Sequence, residues 1–188
     1  MKTKILKISA VILSVVIILS MFTSCNDVIR GAWEIYGLVF NELEDGTYSV
    51  KVSGEGILPY LFVPSTYNGK SVTMFKAKMY SGDYFIKRIV LPNSITYIES
   101  GAFKEFHALE SINIPNKVTE IGMDTFSLCY SLEEITIPAS ITYIHQDAFN
   151  YCPNLKTVKY SGTEEQWRAI SKDDSDFANC TVIYNYTK

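Results

Sequence analysis

The residues best suited to chemistry in this 188-residue chain are its four cysteines and two histidines. A Cys–His or Ser–His nucleophile pair requires both groups to converge on one site. His107 and His145 do not meet that requirement: they fall in different copies of a 23-residue repeat, at positions aligned with Tyr130 and Gly122. No CxxC pair or Cys/His cluster at zinc spacing is present. Asp173-Asp174-Ser175-Asp176 lacks the glycine and the distal glutamate of a calcium loop and reads as a solvated acidic turn. There is no glycine-rich phosphate cradle. The expectation is a protein with no catalytic residues, no metal and no cofactor.

The element that must position these side chains is the repeat itself. It reads IKRIVLPNSITYIESGAFKEFHA, then LESINIPNKVTEIGMDTFSLCYS, then LEEITIPASITYIHQDAFNYCPN, and begins again as LKTVKY. Pro92, Pro115 and Pro138 recur at this one interval, as do Phe103, Phe126 and Phe149, and Leu109, Leu132 and Leu155. A fixed period of this size implies stacked coils, none of which can bury its apolar face alone. Within a coil, Ile112 and Ile114 point inward by the two-residue strand period, and Asn113 points outward. Proline ends the strand where a ladder N–H is no longer needed. Val118 and Ile121 then turn inward, and Phe126 fills the middle of the coil from a short helical turn.

The repeat extends beyond its three obvious copies. Val72, Phe75 and Tyr80 each lie one full period before Ile95, Ile98 and Phe103. Pro64 lies further from Pro92 than the period allows, so five extra residues fall in Ser65–Ser71 around the turn signal Asn68-Gly69. Thr157–Tyr160 returns as Thr181–Tyr184, a single position late. Between them, Thr163-Glu164-Glu165-Gln166 fits a capping box, followed by Trp167 and Ile170 on one helical face. Upstream, Leu38 and Phe40, then Asp45-Gly46, then Tyr48, Val50 and Val52 predict a β-hairpin over 35–53. Another strand is expected at Tyr60–Val63.

These residues resemble the BspA-like bacterial surface leucine-rich repeat of the Treponema type, most clearly at ITIPASITYIHQDAFNYCPNL (135–155) and its two predecessors. Pro64 to Val72 is similar to that family's entry segment, and Ser161 to Trp167 to its exit. The resemblance implies a leucine-rich-repeat solenoid, a right-handed β/α superhelix that is mainly β, with a parallel sheet and short helical turns. It also implies an exported or surface-bound protein acting as an adhesin for host or bacterial proteins. It carries over no ligand-contacting residue.

The N-terminus agrees with export. Residues 1–24 hold three lysines, an apolar run from Ile8 to Phe22 too short for a comfortable bilayer span, and then small residues. Phe22-Thr23-Ser24-Cys25 resembles a bacterial lipobox, which implies cleavage before Cys25 and lipidation of its sulfur. A plain secretory signal or an uncleaved anchor are the alternatives, and all three place the domain outside the cytoplasm. Removing residues 1–24 takes away three lysines and no acid, so 17 basic residues become 14 against 20 acidic, a net charge of −6. That sign, without a basic run, argues against nucleic acid as a partner. Membrane contact is expected through the lipid anchor.

The expected organisation is therefore a signal peptide (1–24), a lipidated cysteine and tether (25–34), an N-terminal β-hairpin cap (35–60), leucine-rich repeats (61–160) making about four to five coils, and a C-terminal helix–strand cap (161–188). The candidate binding face is the outward side of the sheet: Lys87, Arg88, Glu110, Ser111, Asn113, Glu133, Glu134, Thr136, Lys156, Thr157 and Lys159. Lys87 with Glu110 and Glu133 with Lys156 are placed to pair along the ladder. Its expected ligand is a protein, from the host matrix or the bacterial envelope; the alternative is a structural or carbohydrate-contacting surface that uses Tyr97 and Tyr143. Cys129 and Cys152 share one coil position with Phe106, read as buried thiols within disulfide range of each other. Cys180 aligns with Lys156 and is expected on the outward side of the last strand.

Overall fold

The computed structural model describes residues 37–53, 59–77 and 82–187. The signal, Cys25, the tether and Tyr80 lie outside the described residues. The chain opens with an antiparallel hairpin, β1 (Leu38–Glu42) and β2 (Tyr48–Val52). Its turn is fixed by Asp45, whose Oδ1 accepts from the Thr47 N–H at 2.9 Å and the Thr47 hydroxyl at 2.7 Å. After β3 (Tyr60–Phe62), the five-residue insertion forms a second hairpin, β4 (Thr66–Tyr67) against β5 (Lys70–Phe75). Asn68 and Gly69 both take positive φ, 50° and 74°, which is what a two-residue hairpin turn demands.

The main sheet is parallel and six-stranded. From its C-terminal end it runs β13 (Thr181–Ile183), β12 (Thr157–Tyr160), β10 (Glu134–Ile137), β8 (Ser111–Asn113), β6 (Arg88–Val90) and β3. The count exceeds the expected four to five coils because the final strand β13 adds a further rung, with Thr157 opposite Thr181 and Val158 opposite Val182. On the far side of the coils, β5 pairs with both β2 and β7 (Tyr97–Ile98), and β9 (Glu120–Ile121) pairs with β11 (Tyr143–Ile144). The solenoid is almost all strand and turn. Its one α-helix among the described residues, α1 (Glu164–Ala169), starts at the predicted capping box of Thr163 and Gln166.

The core is a column of side chains repeated from coil to coil. Ile89, Ile112, Ile135 and Val158 point inward from the sheet, while Leu109, Leu132 and Leu155 close each coil. Through the centre runs an aromatic stack: Phe75 to Phe103 at 4.7 Å, Phe103 to Phe126 at 5.3 Å and Phe126 to Phe149 at 5.2 Å. It ends edge-on against Phe177, which with Trp167 and Tyr160 covers the last coil. Phe177 sits on a short 3-10 helix, Asp174–Phe177. The acidic turn is therefore structural: Asp173 caps this helix through the Ser175 N–H at 2.8 Å. Asp176 is half-buried, and burial, followed by the nearby Asp173 and Asp147 charges, pushes its carboxyl to about 6.

Candidate binding surface

In-register pairing turns the outward side chains of the main sheet into two rows. One holds Tyr60, Arg88, Ser111, Glu134, Thr157 and Thr181; the other holds Phe62, Val90, Asn113, Thr136, Lys159 and Ile183. The rows are apolar at the N-terminal end, where Tyr60 and Phe62 are 51% and 50% exposed, and polar through the middle. Lys87, Glu110, Glu133 and Lys156 sit one residue ahead of the strands and form an exposed rim row. Their backbones extend the ladder, with the Glu110 N–H donating to the Lys87 carbonyl at 2.8 Å and the Lys156 N–H to that of Glu133 at 3.0 Å.

Charge pairing follows the expectation only in part. Lys87 Nζ meets Glu110 at 2.6 Å, and this contact raises the lysine pKa. Glu133 and Lys156 form no ion pair; instead Lys159 crosses to Glu134 at 2.7 Å and lies over the Tyr186 ring. The reason is reach. Lys159 and Glu134 are on neighbouring strands of the face proper, where the tyrosine ring shields the ammonium.

Below the carboxyl ends of the strands lies a groove of about 780 Å³ whose lining includes Asn93, Asn113, Asn116, Thr136, Ser161 and Tyr186. None of its lining residues is charged. At the opposite edge Tyr84, His107 and Tyr130 stack across three coils, with ring centroids 4.6 and 4.9 Å apart. Tyr97 and Tyr143 are 40% and 41% exposed, but Glu120 lies beside Tyr143 on the adjoining strand, so the two rings form no common platform.

The two histidines have separate surroundings. His145 stands 3.8 Å from Asp147, and His107 holds the Leu128 carbonyl at 3.1 Å. Among the described residues, no group of three or more His, Cys, Asp or Glu is placed to hold a metal ion. Cys180 departs from its expected outward position. It is half-buried, its thiol donates to the Leu155 carbonyl at 3.3 Å, and burial raises its pKa. The expected register holds, with Thr181 opposite Thr157 and the Thr181 N–H donating to the Lys156 carbonyl at 2.7 Å, but Cys180 turns in where Lys156 is exposed. Sequence reasoning also missed Tyr60, Phe62, Thr181, Ile183 and Tyr186. Period two, applied to the two end strands, is the signal that finds the first four; nothing in the sequence folds Tyr186 back over Lys159.

The fold and its repeated outward rows define a leucine-rich-repeat solenoid. The chain belongs to the family described as BspA type leucine-rich repeat region, whose model matches six copies over residues 73–187, more than half of the chain. A leucine-rich cell surface protein of Faecalibacterium prausnitzii is similar at 28% identity and a TM-score of 0.53, over 72% of this chain and 41% of that one. A leucine-rich repeat protein of Bacteroides ovatus is also 28% identical, with a TM-score of 0.60 over 74% of this chain and 37% of that one. The T. pallidum leucine-rich repeat protein, 23% identical with a TM-score of 0.52 over 65% of this chain and 68% of that one, shares the fold. The chain thus spans less than half of the Faecalibacterium and Bacteroides proteins. No curated protein matches it.

Proposed function

We propose that this chain is a non-catalytic, lipid-anchored module outside the cytoplasm that binds a protein ligand through the outward face of its main sheet. One observation carries the reading: two in-register rows of outward side chains cross all six strands, with an apolar end built from Tyr60, Phe62 and Val90. Membership in a family with a cell-surface relative supports the location.

Size sets the binding mode. Strands spaced about 4.8 Å apart make six strands roughly 24 Å wide, and three-residue strands are about 10 Å tall. The projected face is then a few hundred Å², well under the ~800 Å² per partner of a stable interface. The ligand must therefore also cover the charged rim row or the neutral groove, or bind weakly and rely on many anchored copies. Phe62→Ala, Arg88→Ala, Asn113→Ala and Glu134→Ala, combined in the full chain, should lower retention on immobilised matrix or envelope proteins at least tenfold. Failure of every such protein to be retained, or equal retention of the combined variant, overturns the proposal. The neutral groove supports a second reading, contact with carbohydrate, which signal on a glycan array would favour.

A further inference from the structure

The three described cysteines are reduced, and two of them occupy one column of the solenoid. That column runs Asp83, Phe106, Cys129, Cys152, each one repeat period after the last. The two cysteine thiols make the same contact one coil apart: Cys129 Sγ donates to the Phe103 carbonyl at 3.2 Å and Cys152 Sγ to the Phe126 carbonyl at 3.0 Å. The coils are pinned together just ahead of the pair. The Phe126 N–H donates to the Ala148 carbonyl and the Leu128 N–H to the Asn150 carbonyl, both at 2.8 Å. Equivalent positions on neighbouring rungs stand about 5 Å apart at Cα, within the roughly 4.4–6.8 Å that a disulfide spans.

We infer that Cys129 and Cys152 are the site of an inter-coil disulfide, with Cys152 as the entry thiol and Cys129 as the resolving one. The two residues differ in the way that division of labour requires. Cys129 is fully buried, whereas Cys152 is half-buried and reachable at the coil edge. Contact with the adjacent Cys129 side chain is the main cause that lowers the Cys152 pKa. Burial, and then the same contact, pushes the Cys129 thiol up. Partial burial and then, more weakly, Asp176 oppose thiolate formation at Cys152, without reversing the shift. A thiolate that is both favoured and accessible attacks first.

The exchange balances with a disulfide oxidant. The Cys152 thiolate attacks one sulfur of the oxidant, whose S–S bond breaks and releases one thiolate. Cys129 then attacks the Cys152 sulfur from the inner side, expelling the second oxidant thiol outward and giving up its proton to it. Two cysteines lose two protons and two electrons, and the oxidant's disulfide becomes two thiols. In the cell this rests on the proposed extracytoplasmic location, where disulfide-bearing oxidoreductases operate; in vitro it does not.

The test uses the full chain with Cys25→Ala, in detergent, exposed to oxidised glutathione. Cleavage after Glu133 separates Cys129 from Cys152, so a bond between them appears as a reducible cross-linked peptide pair. The expected result is that pair, with two thiols lost and a higher urea midpoint that reductant reverses. Adding Cys129→Ala should leave glutathione trapped on Cys152, and adding Cys152→Ala should slow all modification of Cys129 at least tenfold. If a cavity variant does not fold, the peptide map of the parent chain decides alone. Three free thiols after oxidation, glutathione persisting on Cys152 of the parent, or a dominant Cys152–Cys180 bond would each overturn the inference. None of these outcomes bears on ligand retention, so the binding proposal fails or survives separately.

Discussion

Removing the Phe126 ring tests the solenoid at its centre. Phe126 is fully buried and lies between Phe103, at 5.3 Å and 17°, and Phe149, at 5.2 Å and 12°. Phe126→Ala loses the transfer energy of a buried aromatic and leaves a cavity, about 3–5 kcal/mol in well-packed cores. Two ring–ring contacts go with it, each of order 0.5–1.5 kcal/mol beyond area burial. The site collapses poorly, because the rungs above and below are held by backbone bonds from Phe126 to Ala148 and from Phe103 to Thr125. The expected loss is therefore near the top of the range, about 4–5 kcal/mol. It should be read from urea unfolding followed by circular dichroism. Coils contact only their neighbours, so a weakened centre should also uncouple the two halves and broaden the transition. Tyr151→Ala, on a side chain 68% exposed one coil on, should stay within about 0.5 kcal/mol. A Phe126→Ala loss below about 1 kcal/mol would refute the assigned register and the continuous aromatic stack.

Two further outcomes are expected. Asp176 titrates near 6 in the fold, above its ordinary carboxylate value of 3.8, so its contribution is most favourable below about pH 4 and is lost as pH rises through about 6. Asp176→Asn should thus be more stable than the parent at pH 7, by about 1 kcal/mol after screening of this half-exposed group, and the gap should close by pH 4. A gap independent of pH would show that the carboxyl is not the cause. Lipidation at Cys25 predicts that Cys25→Ala changes the size of the protein made in its bacterium and releases it from the membrane fraction; unchanged size and partitioning would dismiss the anchor.

The coil is legible in the sequence because its determinants are local and repeated. The regular spacing of Pro92, Pro115 and Pro138 marks the strand ends, and period two within each strand separates Ile112 from Asn113. The Asn68-Gly69 hairpin and the Thr163 capping box are equally readable, since a turn or cap needs only residues close in sequence. What escapes depends on contacts between segments that do not repeat. Cys180 keeps its expected register beside Lys156, yet its thiol turns in to the Leu155 carbonyl, a contact that the exposed Lys156 of the previous coil does not foretell. Column position alone pairs Glu133 with Lys156, but Lys159 has Tyr186 as a second partner and Glu134 within reach. The solvated reading of Asp173–Asp176 holds for Asp173, Asp174 and Ser175, which are exposed, and misses Asp176, which Phe177 draws in as it enters the core to finish the aromatic stack.

The same regularity that makes the fold legible makes the ligand hard to read. A strict repeat places chemically similar side chains side by side, so a binding site arises where the repeat is broken. The breaks in this chain lie at the two ends of the main sheet. At one end Tyr60 and Phe62 replace the polar residues of the central strands, and at the other Tyr186 folds back over Lys159 and walls the neutral groove. The middle rows, Ser111, Glu134 and Thr157 with Asn113 and Thr136, are those a solvated sheet would also choose. Specificity should therefore concentrate at the ends: Phe62→Ala alone should cost more binding than Ser111→Ala and Thr157→Ala together, measured as retention on the same immobilised partner. The reverse ranking would move the site to the polar centre and require a ligand that reads hydrogen bonds rather than apolar surface.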